Sequence, residues 1–219
     1  MSIPEETTAP KASSPAQAPG VDIVDMDPVH DARDASASTA RPEAAAGLIP
    51  ATADAATVLA DGTAVWLRPL RRDERDLVAG FFNGLSAQSR HRRFLQAMPR
   101  LPELMLQRLV DVDGHSHVAI VAEAGGEIAG IARFVALAGD PDTAEVAVTV
   151  ADRFQGRGIG GLLLDALRSA AERAGLGAFV YLVDPTNRPM LRLREVQLHY
   201  RDGLVEGRQP LTGRRPAAA

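Results

Sequence analysis

Six consecutive residues, Gln155-Gly156-Arg157-Gly158-Ile159-Gly160, are the part of this sequence best equipped to bind a charged ligand. Glycines let the backbone turn tightly and come close to a guest. A helix starting beside them offers unpaired N–H groups and the positive end of its dipole, so the cradle suits a diphosphate. Just upstream, Glu145 opens an otherwise apolar run that ends at Val150. A carboxylate there could take a proton from an amine, which is protonated at neutral pH when its pKa is about 10.4. It could equally pair with an arginine such as Arg133. His115 and His117 flank Ser116, but no acid or histidine follows at a familiar ligand spacing, so no metal is expected. The cluster Arg90, His91, Arg92 and Arg93 reads first as a solvated helix face, and second as a guide for a phosphate or an acidic substrate.

The elements that must position these residues follow from periodicity and punctuation. Ala64 to Pro69 reads as a short strand. Leu77, Val78, Phe81, Phe82 and Leu85 recur at helical spacing behind the acidic pair Asp73 and Glu74. Two further helical pieces are expected over Ser86 to Leu95 and around Leu104 to Val110, separated by Pro99 and Pro102. His117 to Glu123 and Glu127 to Leu137 flank a glycine turn and form a β-hairpin. Gly139 to Asp142 turns the chain into a strand over Thr143 to Val150, just before the glycine loop. Ile159 to Ala174 is helical, with Leu162, Leu163, Ala166, Leu167 and Ala170 on one face, and Ala178 to Val183 is an apolar strand. The order strand, helix, strand implies a parallel pair. A last helix is expected over Asn187 to Val196, then a hairpin with strands Leu198 to Arg201 and Leu204 to Gln209. The fold class is therefore α/β, more closely α+β: a mixed, mostly antiparallel sheet flanked by helices, with one parallel strand pair at the glycine loop.

Composition sets the outer bounds. The 219 residues are 46% hydrophobic and 24% charged, enough for one sizeable domain. Residues 1–57 are Ala/Pro/Ser/Asp-rich, lack aromatics and show no sustained period, so they read as a disordered acidic tail. The domain is expected over 58–212, with a second short tail over 213–219. The first tail carries a net charge of −6 within a total of −4, which leaves the rest at +2. That is a poor balance for nucleic-acid binding, which needs clustered cations. No run reaches the roughly 20 apolar residues of a membrane span, and the N-terminus does not have the pattern of a secretion signal. A cytoplasmic protein, a monomer or homodimer, is expected. With no cysteine there is no disulfide, thiolate metal site or cysteine nucleophile.

Two cofactor classes could share the glycine loop. Gly156-x-Gly158-x-x-Gly161 has the spacing of a dinucleotide fingerprint, with Asp184 where a ribose-binding acid would lie. Against this, Ala151 to Gln155 separates strand from glycines, and hairpin strands precede them. The other reading is Gln-x-x-Gly-x-Gly between a strand and a long helix, followed by Asp184-Pro185-x-Asn187-x-x-Met190-Leu191. With these two motifs the chain resembles the GCN5-related N-acetyltransferase (GNAT) superfamily from about Gly62 to Leu211. The order Leu67-Arg68-Pro69, Leu85-Ser86, Arg90, Arg93-Phe94, Val110-Asp111 and Thr143-Ala144-Glu145-Val146-Ala147 is similar, more narrowly, to the catalytic domain of bacterial protein lysine acetyltransferases.

The resemblance implies acetyl-CoA as co-substrate and no metal. It assigns the pyrophosphate to Gln155, Gly156, Arg157, Gly158, Ile159 and Gly160. The pantetheine arm and thioester fall to the backbone around Val148, Thr149 and Val150, and to Asn187 and Met190. It makes Glu145 the general base, with a protein lysine side chain as leading acceptor and a small amine close behind. Many members place a proton-donating tyrosine where this sequence has Arg194, so the acid role has no assigned residue. A non-catalytic acyl-CoA sensor is the alternative of a different class.

Overall fold

The computed structural model describes residues 55–192 and 196–211. The chain opens with the strands β1 (Ala55–Val58) and β2 (Ala64–Pro69), followed by three helices: α1 (Arg75–Asn83), α2 (Ala87–Phe94) and α3 (Glu103–Val110). Next come β3 (His117–Ala124), β4 (Glu127–Leu137) and β5 (Asp140–Val150), one turn of 3-10 helix (Asp152–Phe154) and the long helix α4 (Ile159–Arg173). The last elements are β6 (Ala178–Val183), the short helix α5 (Arg188–Leu191), β7 (Gln197–Arg201) and β8 (Leu204–Pro210). The strands form one eight-stranded sheet in the order β1-β2-β3-β4-β5-β6-β8-β7. Every pair is antiparallel except β5 with β6, so the expected fold class stands.

Local chemistry explains the main junctions. Gly125 and Gly126, with φ of +61° and +82°, make the tight turn between β3 and β4, a conformation that glycine takes at little cost. Ser86 caps α2: its hydroxyl accepts a hydrogen bond from the Ser89 N–H at 3.1 Å. Arg68 on β2 binds Glu74 just before α1 and Glu123 on β3, both at 2.8 Å, and so fastens the first helix to the sheet. Burial disfavours the Glu74 charge, but bonds from Arg68 and the Arg71 N–H outweigh it and hold the carboxyl below its ordinary range.

Helices cover both faces of the sheet. A Cβ on Gly130 of β4 would come within 2.8 Å of Leu163 Cδ1 and 3.5 Å of Ile159 Cγ2, so α4 presses directly on that face. Arg133 lies an odd number of positions further along β4 and thus on the opposite face, where it donates to the Arg108 carbonyl of α3 at 3.5 Å. Phe134 and Phe179 are fully buried, with ring centroids 6.2 Å apart. Truncating either to alanine would cost about 3–5 kcal/mol. No helix among the described residues is long and apolar enough to cross a membrane.

Several sequence boundaries shift. The domain starts before residue 58, because β1 begins at Ala55 and pairs Val58 with Ala64. A four-residue strand shows no period of its own; its partner supplies the order. The turn expected over Gly139 to Asp142 contracts to residues 138–139, since Asp140 already pairs with Leu137 beside a register irregularity. The last helix, expected over Asn187 to Val196, is a single turn ending at Leu191. By Gln197 the backbone is committed to a ladder with Arg208 of β8. Residues 193–195, including Arg194, lie outside the described residues, as do 1–54 and 212–219.

Candidate functional site

The site begins where the sheet divides. β5 and β6 pair only at Thr143 with Ala178, Ala144 with Phe179 and Glu145 with Val180, then separate. The Ala151 N–H donates to Ala129 on the β4 side at 2.9 Å. Strand alternation therefore directs the N–H groups of Val146, Val148 and Val150 toward the gap left by β6. Thr149 turns its backbone the other way, but its hydroxyl is buried without a hydrogen-bond partner and lies in the wall of the groove.

At the far end of β5 the glycine loop forms the cradle. Gly156 and Gly158 have φ of +75° and +93°, and a Cβ on either would meet nothing within 4 Å. That space is open for a ligand. The N–H groups of Gly161 and Leu162 both reach the Gly158 carbonyl, at 3.0 and 3.2 Å. Those of Gly158, Ile159 and Gly160, ahead of them, are the donors that a helix start leaves over. Ile159 is 1% exposed, so its side chain anchors the helix in the core while its N–H stays with the loop. Open space, leftover donors and the unpartnered Thr149 hydroxyl fit the pyrophosphate and pantetheine of acetyl-CoA.

The loop is held from two sides. Asp152 accepts from the Ser86 N–H at 2.8 Å, the Ser86 hydroxyl at 2.6 Å and the Ser89 hydroxyl at 2.7 Å. Burial opposes the Asp152 charge, but these bonds prevail and keep its carboxyl below the usual range. Gln155 completes the latch, its amide donating to the Ser89 hydroxyl at 3.1 Å and the Val150 carbonyl at 3.0 Å. From the other side Arg157 binds Asp61 at 2.6 Å and also reaches the Thr63 hydroxyl. Bonds from Thr63, then from Arg157, bring the Asp61 pKa to about 2.

A second groove adjoins the first. It is lined by Glu145 and by Arg92, Arg93, Arg108 and Arg133, with Tyr181, Asn187 and Met190 at its other wall. Val148, Asn187, Met190, Arg92 and Arg93 belong to both grooves, so Glu145 and the glycine loop open into one continuous depression. Arg133 pairs with Ala147, which alternation puts on the same face of β5 as Glu145. Tyr181 donates its hydroxyl to Gln209 at 2.6 Å, and burial pushes it up to about 12. Asp184 accepts from the Thr186 N–H and hydroxyl at 2.7 and 2.5 Å, which shapes the turn into Asn187.

The loop-side groove thus gathers Val148, Thr149, Val150, Gln155, Gly156, Gly158, Ile159, Gly160, Asn187 and Met190. Arg157 is not among its lining residues; its side chain ties the loop to the turn between β1 and β2. Among the described residues no cluster of three or more His, Asp or Glu is placed to hold a metal. His117 is largely buried, and burial, then the Arg133 charge, lowers its pKa to about 4. Sequence reading missed the latch residues Ser89 and Asp152, and the groove residues Arg108 and Tyr181. Arg133 was weighed only as a partner for Glu145.

Residues 80–200 match the profile of the acetyltransferase (GNAT) family. Acetyltransferase PA5475 of Pseudomonas aeruginosa is 35% identical over 136 residues, spanning 60% of this chain and 73% of that protein. Acetyltransferase Pat of Mycolicibacterium smegmatis is 35% identical over 112 residues, 50% of this chain but 33% of that longer protein. The crystal structure of the GNAT domain of S. lividans PAT superposes with a TM-score of 0.70 at 30% identity, covering 74% of this chain and 99% of that one. The chain belongs to the acetyltransferase (GNAT) family, and its activity is acetyl-CoA-dependent acyl transfer.

Proposed function

We propose that this chain moves the acetyl group of acetyl-CoA onto a primary amine, foremost a protein lysine side chain, by direct attack with Glu145 as general base. The observation that carries the reading is the position of Glu145 at the last β5/β6 pair, in a groove continuous with the glycine loop. In this scheme Gly156 to Gly160 hold the pyrophosphate through backbone N–H groups, and Gln155 keeps the loop in shape. Val148 and Val150 present N–H groups to the pantetheine and the thioester oxygen, Thr149 offers its hydroxyl, and Asn187 and Met190 close the opposite wall. Glu145 removes a proton from the ammonium. The freed nitrogen forms a bond to the carbonyl carbon, the carbon–sulfur bond breaks, and CoA leaves as a thiolate that takes up a proton. The names of PA5475 and Pat support acyl transfer; Pat and PAT belong to the group to which the lysine-acetyltransferase resemblance points.

The deciding experiment is Glu145→Gln, assayed for CoA release and, separately, for acetyl-CoA binding. Loss of transfer at neutral pH, with binding retained and partial recovery at high pH, is the expected result. Turnover equal to the parent at every pH would overturn the base assignment.

A further inference from the structure

The groove beside Glu145 is lopsided in charge. Among the described residues lining it, four are arginines and one is a carboxylate. The arginines come from three separate elements: Arg92 and Arg93 from α2, Arg108 from α3 and Arg133 from β4. All four are only partly exposed. Some of the charge has local work: Arg92 reaches the Thr186 carbonyl at 3.4 Å and lies in the field of Asp184, and Arg133 donates to the Arg108 carbonyl. None of this alters the sum, because a carbonyl brings no charge and Glu145 can neutralise one guanidinium at most.

The diphosphate does not account for the excess either. Arg92 and Arg93 line the loop-side groove as well and could serve a phosphate there, but Arg108 and Arg133 line only the groove of Glu145. Their field also reaches His117, where Arg133 helps keep the imidazole neutral. A bare ammonium entering this groove would meet repulsion. An amine that carries its own anion would not, because guanidiniums pair with carboxylates and phosphates in a fixed planar geometry.

We propose that the acceptor amine arrives with a carboxylate or phosphate nearby, and that Arg108 and Arg133 hold this anion beside Glu145. The inference rests on the reading above that this groove receives the acceptor. Two sources share the chemistry: an acidic residue next to the target lysine of a polypeptide, and the carboxylate of a free amino-acid-like amine.

The test uses the full chain and three otherwise identical lysine peptides whose neighbours are Glu, Gln or Arg, together with free amino acids and their amides. Transfer is read as kcat/KM, and equilibrium binding to the CoA-loaded protein is measured in parallel. Glu-flanked peptide is expected to exceed Gln-flanked by about tenfold, with Arg-flanked lowest. Arg108→Gln should shrink that gap to about twofold and Arg108→Lys should keep most of it, with melting curves confirming that both variants fold. Preference for free amino acids over amides, without a peptide preference, assigns the anion to a small molecule and also supports the proposal. Equal use and equal binding of all three peptides, with amino acids no better than amides, would overturn it. Preferential binding of the anionic acceptors without any transfer would uphold it while sinking the catalytic reading of Glu145.

Discussion

The two ends of β5 are built on opposite plans. At the loop end, one run of sequence forms the cradle and neighbouring side chains only brace it: Asp152, Gln155 and two serines on one side, Arg157 with Asp61 on the other. At the Glu145 end nothing is contiguous. The groove walls come from α2, α3, β4, β5, β6 and the turn into α5. The contrast teaches that a cofactor common to a family can be bound by a local motif. The groove for the acceptor instead draws its charge from side chains brought together only by the fold.

Substitutions at either end should then fail in different ways. The largest effect is expected for Glu145→Gln, a fall in kcat of about 10²- to 10⁴-fold with little change in acetyl-CoA affinity by calorimetry. Next comes Gly158→Ala. Its φ of +93° strains any side chain even though space is open, so acetyl-CoA affinity should drop by roughly tenfold, while transfer at saturating co-substrate stays within a few-fold. Equal damage from both changes to both quantities would erase the contrast.

A smaller effect, a several-fold rise in KM for acetyl-CoA with acceptor KM unchanged, is expected for Asp152→Ala, since three hydrogen bonds to α2 are lost but no ligand contact. Arg157→Ala should change acetyl-CoA binding by about twofold at most, because its exposed pair with Asp61 braces the loop from outside.

His117 reports on the acceptor end. Its folded pKa of about 4 lies below the ordinary 6.5, so the unfolded chain binds the proton more readily between those values. The contribution of this group to stability is therefore complete above pH 6.5 and declines as pH falls toward 4. In Arg133→Gln a nearby positive charge is removed, so the His117 pKa should rise, though not to 6.5, because burial remains the main cause. NMR titration of the imidazole in both proteins measures the difference.

These plans also decide what the sequence could disclose. Alternating and helical periods marked β2 to β6 and α1 to α4, because each of those elements has one apolar face. The cradle was legible in Gly156 and Gly158, since a positive φ restricts the residue type. β1 and the shortened α5 were not, as each depends on a partner strand remote in sequence: Ala64 for Val58, and Arg208 for Gln197. Asp152 looked like part of a spacer, and only its distance to Ser86 and Ser89 reveals the latch. The charge of the Glu145 groove was hidden for the same reason. Arg108 and Arg133 carry no sequence pattern, and β4 has to lie under α3 before they meet.

The parting of β5 from β6 after Glu145 creates, in the middle of the sheet, what proteins normally tolerate only at its rim: a strand edge with a row of unsatisfied amides. A molecule lying along it with amides of its own completes the row as a surrogate strand. Part of the sheet's cohesion is thereby lent by the co-substrate. The melting temperature should climb with acetyl-CoA concentration as mass action requires, by about 2.7 kcal/mol at a hundredfold excess over Kd.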